Sequence, residues 1–487
     1  MYTRTAPWKS LRGLLLTSRH PCPRLNTTLH TLRSSLCTLA IETSCDDTSV
    51  AVLEYKSDPR DPVLRQGSQA KLRYHKTLTS RNKPYGGIHP VVALESHQEN
   101  LAILVREALR SLPDAAHDES TSVRSISVRC ESRENTNKVI PDFISVTRGP
   151  GMRSNLNTGL DLAKGLAVAW DVPLIGVHHM HAHALTPRFL SASDVLGSRQ
   201  DDTEVLPEVA PAFPFLSLLV SGGHTLLIQT NSLTEHRVLA TTMDIAIGVC
   251  LDKIARAVLP EQVLNSSPNT MYGAVLERFA FANGAEDHAY EPPGGLYGPT
   301  VPKPSQYGWT IPAPFNKINA QSIERHKANN NEFAFSFTGL TTSIERIVDT
   351  LKLKSPCTSE EDEVQERRAL AREAMQAVFE HVGQRIVLAL RDTQKENPEL
   401  ASRLQTLVVS GGVAANKYLR CILSPYLAAR GYADMSFVYP PVEYCTDNAA
   451  MIAWAGMEMF TAGHTTSLAA RSIRKWPIDA ILDPPST

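Results

Sequence analysis

The sequence lacks the features that would place it in a special class of protein. No apolar run approaches the ~20 residues that a membrane-spanning helix needs. The Lys+Arg and Asp+Glu counts of 49 and 50 leave a formal net charge of −1, which argues against a uniformly basic nucleic-acid coat but allows a local basic patch. The hydrophobic fraction of 42% and the charged fraction of 20% are those of an ordinary globular protein.

Cysteine is scarce and shows no pairing pattern. The eight cysteines include no CxxC pair, which argues against a zinc ribbon or a thioredoxin-like redox motif. Their irregular spacing gives no disulfide framework, as expected for a protein of a reducing compartment.

The first forty positions contain no acidic residue, and the first acid of the chain is Glu42. This leader is rich in Ser and Thr and carries the basic residues Arg4, Lys9, Arg12, Arg19, Arg24 and Arg33. Such a composition is typical of a mitochondrial transit peptide, although a disordered tail without a targeting role shares it. We predict that residues 1–36 are a transit peptide that directs import into the matrix.

Two strand–turn–strand patterns lie in separate halves of the chain. Residues 37–55 (CTLAIETSCDDTSVAVLEY) and 215–229 (FLSLLVSGGHTLLIQ) each predict a hairpin. The Val-Ser-Gly-Gly of the second hairpin recurs at 409–412, where a strand enters a helix. The repetition predicts a duplicated α/β fold of two lobes with a central cleft.

We assign residues 37–177 and 444–487 to lobe I and residues 178–443 to lobe II. Segments rich in Pro, Gly, Asn and Asp predict insertions near 191–212 and 284–331. The polar segment 114–138 predicts a further surface insertion. Apolar periodicity predicts helices at 90–112, 156–170 and 363–391.

Glycine pairs after strands let the backbone approach a phosphate, since no Cβ blocks the way and the N–H groups point at the anion. Ser221-Gly222-Gly223 and Ser410-Gly411-Gly412 both have this form. A single such turn would indicate only tight backbone geometry. Two turns in matched contexts favour nucleotide binding.

Two histidines have the spacing of a metal-binding pair. In VHHMHAHAL at 177–185, His179 and His183 are four residues apart and share one face of a helix. They follow a predicted strand at 173–177, where α/β sheets bind their ligands. Met180 stands where an HExxH metallopeptidase has its glutamate, which disfavours that activity. Asp447 opens an apolar helix, and spacing alone does not distinguish a third ligand from a helix N-terminal acid.

The motifs together resemble the threonylcarbamoyladenosine transferase family of the actin-like ATPase (ribonuclease H-like) superfamily. They occur in family order over residues 37–475. VHHMHAH and the leader are most similar to the mitochondrial branch. The motifs are ETSCDDTSVAV (42–52), YGGIHP (85–90), TRGPGM (147–152), GLDLAKGLA (159–167), LVSGGHTLL (219–227), SFTGL (336–340), GGVAANKYLR (411–420) and CTDNAAMIA (445–453).

The resemblance implies roles for individual residues. His179, His183 and Asp447 would hold one divalent metal ion per subunit, with zinc and iron both open. Asp46 would be the acidic group near the reacting atoms. The substrate contacts implied are Leu219, Val220, Ser221, Gly222, Gly223, Asp252, Gly273 and Asn416. Departures from the family pattern stand on the ribose side of this set, at Val249, Tyr272 and Thr341.

The resemblance also implies a reaction. A threonylcarbamoyl group would pass from threonylcarbamoyl-AMP, made by a separate synthase, to N6 of the adenosine 3′-adjacent to the anticodon, in mitochondrial tRNAs that read codons beginning with A. AMP would be released, and the enzyme would be a homodimer that does not bind membranes. Because fold alone does not fix function, an actin-like ATPase or small-molecule kinase and a non-catalytic assembly protein remain alternatives.

The longest one-signed stretch after the leader lies between Asp61 and Glu95, where no acid occurs. It is either a solvated helix or loop face, or a surface that pairs with tRNA phosphates. Its position beside the first hairpin favours the second interpretation. We predict tRNA contacts at Lys71, Arg73, Lys76 and Arg81.

Overall fold

The computed structural model describes residues 35–56, 69–115, 124–129, 135–193, 209–267, 271–293, 304–314, 333–354 and 359–484. The leader therefore lies outside the described residues, apart from Ser35 and Leu36. These two belong to the first strand, so the sheet begins before the boundary predicted after residue 36. Most of the two predicted insertions also lies outside the described ranges.

The N-terminal part of the chain folds around a five-stranded sheet, and a separate pair of antiparallel strands lies almost wholly within the segment 114–138 that was predicted as a surface insertion. The strands are β1 (Ser35–Glu42), β2 (Asp47–Lys56), β3 (Gln69–Thr79), β4 (Ser125–Arg129), β5 (Asn135–Val139), β6 (Phe143–Gly149) and β7 (Leu174–His178). The helices are α1 (Pro90–Arg110), α2 (Arg153–Trp170) and α3 (His179–Ala192).

The second half builds a six-stranded sheet and the remaining helices. Its strands are β8 (Phe215–Val220), β9 (Thr225–Thr230), β10 (His236–Thr242), β11 (Phe333–Phe335), β12 (Thr406–Ser410) and β13 (Ser436–Val438). Its helices are α4 (Ile247–Val258), α5 (Glu261–Asn265), α6 (Tyr272–Ala280), α7 (Thr338–Lys354), α8 (Glu360–Glu396), α9 (Pro398–Arg403) and α10 (Lys417–Ala428). Two further helices, α11 (Val442–Cys445) and α12 (Ala449–Thr461), lead back towards the first sheet.

The two sheets repeat one topology. Each opens with a hairpin, β1–β2 or β8–β9, and a third antiparallel strand joins at the second strand. On the other side of each first strand, two parallel strands follow, giving β1-β6-β7 in one sheet and β8-β12-β13 in the other. The second sheet adds only β11 at its outer edge. The duplicated α/β fold of two lobes predicted from the two hairpins is thereby confirmed.

Helix α12 joins the two lobes. Its sequence AAMIAWAGMEMFT is apolar on nearly every side, a pattern typical of a fully buried helix. Trp454 of α12 packs against Phe189 of α3, in a cluster that also contains Phe215 and Val408 of the second sheet. Helix α3, which carries the histidine pair, therefore lies where the lobes meet. Within the described ranges, no helix has the length and apolar character needed to cross a bilayer.

Candidate functional site

The three proposed metal ligands come together at the junction of the lobes. Helix α3 begins at His179, directly after β7, and Asp447 precedes the N-cap residue of α12. Oδ1 of Asp447 lies 3.3 Å from Nε2 of His179 and 3.1 Å from Nε2 of His183. Each of the three residues offers one potential ligand atom, and these three atoms all lie within 4.8 Å of one another.

The geometry and chemistry of this triad fit a divalent transition metal. Tetrahedral bonds of 2.0–2.1 Å place neighbouring ligand atoms about 3.3 Å apart, close to the separations between Asp447 and the two imidazoles. Both histidines are buried, which limits competition from water. Two imidazole nitrogens and a carboxylate oxygen suit zinc or ferrous iron rather than calcium or magnesium.

A carboxylate that sequence reasoning missed holds the first histidine in position. Glu42, the last residue of β1, is fully buried, and its Oε2 lies 3.2 Å from Nδ1 of His179. Its other oxygen accepts a hydrogen bond from the amide of Ser44 at 2.5 Å, and the Thr147 hydroxyl donates to Oε2. A carboxylate on the far nitrogen of a ligating histidine fixes the ring and increases its basicity. Glu42 therefore aims Nε2 of His179 at Asp447.

Opposite charges balance inside the cluster. Burial lowers the pKa of His179, but the carboxylates of Asp447 and Glu42 outweigh this effect and raise the pKa to about 10. Burial raises the pKa of Asp447, but His179 and His183 more than compensate and hold it well below its usual range. A cation in the triad would replace the proton of His179, since metal ligands bind in their deprotonated forms.

We predict that Glu42→Gln lowers metal affinity about 10–100-fold while the fold is retained, because glutamine keeps the shape of the side chain but not its charge. Competition with a chelator would measure the affinity. Glu54→Gln is the matched control, since Glu54 is a buried glutamate of the same hairpin that pairs with Arg73 instead. Equal metal affinity in Glu42→Gln and the wild type would contradict the positioning role.

Asp46 lies in the β1–β2 turn beside the triad. Its Oδ2 accepts a hydrogen bond from Nδ2 of Asn82 at 3.0 Å, which orients the carboxylate. Burial, and then the charge of Asp447, raise the pKa of Asp46. Burial raises the pKa of the neighbouring Asp47 to about 7, against the opposing hydrogen bond from Thr79. A carboxylate with a raised pKa, held next to a metal triad, is suited to accept a proton from a substrate.

Two buried side chains hold this acidic turn in place by hydrogen bonds to its backbone. Nε2 of His97 lies 3.0 Å from the carbonyl oxygen of Cys45, and Nδ2 of Asn155 donates to the same oxygen at 2.5 Å. Nδ1 of His97 lies 2.7 Å from the Thr48 hydroxyl, at the other end of the turn. The turn is thus fixed by α1 and α2.

The two glycine turns form one continuous surface on lobe II. The Ser221 hydroxyl accepts hydrogen bonds from the amides of Gly223 and His224 at 3.3 and 3.0 Å, which closes the first turn. Within the described part of the chain, a Cβ added at Gly222, Gly223 or Gly412 would meet no atom within 4 Å, so all three border open space there. Gly411 has a φ of +95°, and a Cβ there would lie 2.4 Å from the carbonyl oxygen of Val220. Glycine is therefore required where the two turns touch.

This glycine surface adjoins the metal triad. The Ser410 hydroxyl donates to the carbonyl oxygen of His183 at 3.3 Å. His224 directly follows Gly223. Burial lowers the pKa of His224, and the charges of His179 and His183 lower it further against the opposing charge of Asp447, so that the pKa is about 4. Leu219 packs with Met180 of α3. A phosphate over the glycines would therefore lie next to the metal ligands.

The remaining predicted substrate residues lie on the same lobe. Oδ1 of Asp252 on α4 accepts a hydrogen bond from the amide of Gly273 at 2.9 Å, so these two residues are direct neighbours. Asn416 is the N-cap of α10 and follows the second glycine turn, and its Oδ1 accepts from the amide of Leu419 at 3.0 Å.

The departures from the family pattern differ in their surroundings. Tyr272 lies beneath the guanidinium of Arg256, which is 5.1 Å from its ring centre. Arg256 also donates to the carbonyl oxygen of Gly86 at 2.8 Å, which links the two lobes. Thr341 is buried and donates to the carbonyl oxygen of Phe337, so it serves the packing of α7. Val249, on the first turn of α4, is half-buried.

Comparison with known proteins identifies the family of the chain. Residues 134–283 and 297–454 match the model of TsaD, the tRNA N6-adenosine threonylcarbamoyltransferase family. The chain belongs to this transferase family. A relative named mitochondrial tRNA N6-adenosine threonylcarbamoyltransferase, from Schizosaccharomyces pombe, is 36% identical over 453 residues, covering 92% of this chain and 88% of its own length. A Bartonella henselae member is 32% identical over 445 residues, covering 91% of this chain and 95% of its own.

The central part of the basic stretch of this transferase, which contains Lys71, Arg73 and Lys76, forms the edge strand β3 rather than a helix or loop. Arg73 pairs with Glu54 at 2.6 Å and Lys76 with Glu107 at 2.9 Å, so two of the four predicted tRNA-binding side chains are partly neutralised. Lys71 lies eight positions before Thr79, about 26 Å along the strand from the end that pairs with the acidic turn. Arg81, just beyond that end, lies between Ser80 and Asn82, which both donate hydrogen bonds to Asp46 of the acidic turn.

Proposed function

We propose that the protein transfers a threonylcarbamoyl group from threonylcarbamoyl-AMP to N6 of the adenosine 3′-adjacent to the anticodon, in mitochondrial tRNAs that read codons beginning with A. A separate threonylcarbamoyl-AMP synthase would supply the donor, and AMP would leave. Family membership supports the reaction class. The observation that carries the proposal is the His179–His183–Asp447 triad, placed between the acidic turn of lobe I and the glycine surface of lobe II.

The adenylate would lie across lobe II. Backbone N–H groups around Gly222, Gly223 and Gly412 would donate to its phosphate, because no atom of the described residues lies within 4 Å of a Cβ added at any of the three. The adenosine end would lie towards Asp252, Gly273 and Asn416, with the carboxylate of Asp252 available to accept a ribose hydroxyl. The threonylcarbamoyl end would then face the triad.

One divalent metal ion, zinc or iron, would be held by His179, His183 and Asp447. When bound, it would stabilise negative charge on the carbamoyl or phosphate oxygens of the donor. Glu42 would keep His179 aligned, and the burial of both imidazoles would exclude water from this side of the substrate.

In the transfer step, the N6 amine of adenosine attacks the carbamoyl carbon. A C–N bond forms, the bond from that carbon to the phosphate oxygen breaks, and AMP takes the electron pair. The proton lost from N6 passes to Asp46, whose raised pKa and hydrogen bond from Asn82 suit it to this role. Exocyclic amines are poor nucleophiles, so alignment between the two lobes should supply much of the acceleration.

The protein would act in the mitochondrial matrix as a homodimer. The acid-free leader and the mitochondrial name of the S. pombe relative support this location. The first described strand begins at Ser35, so removal of residues 1–34 would leave the described sheet intact, whereas cleavage after residue 36 would take Ser35 and Leu36 from its first strand.

Depletion of the protein in cells should remove threonylcarbamoyladenosine from mitochondrial tRNAs and leave cytosolic tRNAs unchanged. Mass spectrometry of nucleosides from purified tRNA fractions would measure both. Re-expression of the full chain should restore the modification, whereas a chain that lacks residues 1–34 should not. Unchanged mitochondrial tRNA after depletion would refute the function, and rescue by the shortened chain would refute the targeting role of the leader.

A further inference from the structure

A segment near the C-terminus runs past the metal triad on the protein surface. We define the C-terminal strap as residues 471–481. Its apolar side chains are buried: Ile473, Trp476 and Ile481 pack together, and Ile478 packs with Met180 and Leu219. Arg474 and Lys475, between these anchors, are exposed. The strap is thus held rigidly by its apolar residues while its basic residues face solvent.

Hydrogen bonds tie the strap to both sides of the site. On one side, the amide of Ile473 donates to the carbonyl oxygen of Arg148 at 2.8 Å, and the amide of Gly151 donates to that of Arg474 at 3.3 Å. On the other side, Nε2 of His178, the residue before the first metal ligand, donates to the carbonyl oxygen of Trp476 at 2.9 Å.

The loop under the strap also reaches the first metal ligand. The amide of Met152 donates to the carbonyl oxygen of Ser44 at 2.9 Å, and the hydroxyl of Ser44 lies 3.3 Å from Nδ1 of His179. The backbone of Arg474 is therefore connected by hydrogen bonds, through the loop at 151–152 and Ser44, to the first metal ligand.

Basic residues predominate on the first part of the strap. No acidic residue occurs between Gly463 and Ile478, the exposed Asp479 follows, and the neighbouring loop adds Arg153, which is exposed at the start of α2. Among the described residues, no acidic side chain forms an ion pair with Arg153, Arg474 or Lys475. They differ in this from Arg73 and Lys76 of β3, whose partners are Glu54 and Glu107.

We propose that Arg153, Arg474 and Lys475 bind backbone phosphates of the RNA on either side of the target adenosine. The identity of the RNA as tRNA rests on the proposed function. Exposed cations without acidic partners gain most from phosphate contact, because no internal ion pair is lost and condensed counterions are released. Their rigid backbone, tied to the loop beside the triad, fixes the register of the bound RNA relative to the reacting centre.

The test compares two double variants of the full protein, Arg474→Glu with Lys475→Glu on the strap and Lys71→Glu with Arg73→Glu on β3. The probe is unmodified mitochondrial tRNA, titrated at several salt concentrations. The strap variant should bind the tRNA about tenfold or more weakly at low salt, and its salt slope should fall by about two. The β3 variant should lose less, since Arg73 is already paired and Lys71 is distant.

Two controls separate this inference from the proposed function. The strap variant should keep the metal content, thermal stability and AMP affinity of the wild type, because both substituted side chains are exposed. The neutral variant Arg474→Gln with Lys475→Gln should show an intermediate loss of tRNA affinity. If the wild type modifies tRNA and the strap variant matches its affinity and salt slope, the strap inference is wrong. If the wild type neither binds nor modifies tRNA, the proposed function itself fails.

Discussion

Asp447→Ala should remove nearly all bound metal and lower the transfer rate about 100-fold or more, with little loss of fold. Loss of a supporting residue around a metal costs about 10–100-fold, so loss of a ligand should cost at least as much. Asp447 supplies the single oxygen on which both imidazoles converge, at 3.3 and 3.1 Å. Its side chain is partly exposed, so its removal leaves no large cavity. Elemental analysis and the single-turnover rate would measure both effects.

His179→Ala should behave like Asp447→Ala. His464→Ala is the control, since His464 is a partly buried histidine in the turn after α12, outside the triad, and should keep metal and rate. His178 and His181 are buried and also lie outside the triad, so their glutamine variants should retain metal even if they are less stable. Full metal occupancy in both His179→Ala and Asp447→Ala would disprove the site.

Gly222→Val should raise the Michaelis constant for the adenylate about tenfold or more without lowering the stability of the protein. A Cβ at Gly222 would meet no protein atom within 4 Å, so the new side chain would occupy open space above the glycine turn. That space is where we place the phosphate, and a tenfold loss corresponds to about 1.4 kcal/mol of binding free energy. Kinetics at varied adenylate concentration and a thermal melt would separate the two effects.

Gly165→Val is the matched control for this substitution. Gly165 is an exposed glycine of α2, and a Cβ there also meets no atom within 4 Å. It should leave the Michaelis constant unchanged. If Gly222→Val binds the adenylate as the wild type does, the phosphate does not lie over this turn.

Much of the fold was predictable from local patterns. The two hairpins and the repeated Val-Ser-Gly-Gly predicted the duplication, because short apolar runs around tight turns specify strands without long-range information. The basic stretch was harder. In β3, Lys71 and Arg73 follow a two-residue period but Lys76 does not, because the strand register shifts near Arg73, and charge on an exposed edge further hides the strand pattern.

The site was predictable only where its residues are close in sequence. His179 and His183 are one helical turn apart, so their spacing alone indicates a pair of metal ligands. Asp447 is 264 residues from His183, and only the resemblance to a known family assigned it. Glu42 is 137 residues from His179 and was missed, although a buried acid at the end of an apolar strand is itself a signal of function.

The most direct measurement of the central claim is a reaction with purified, metal-replete protein, unmodified mitochondrial tRNA and threonylcarbamoyl-AMP. Nucleosides from the digested tRNA would be analysed by mass spectrometry, and AMP would be quantified in parallel. The proposed function predicts one threonylcarbamoyladenosine per tRNA, an equal amount of AMP, and formation of both products about 100-fold or more slower with Asp447→Ala. AMP release without any modified adenosine, or turnover of ATP in place of transfer, would contradict it and favour an ATPase or kinase of the same fold.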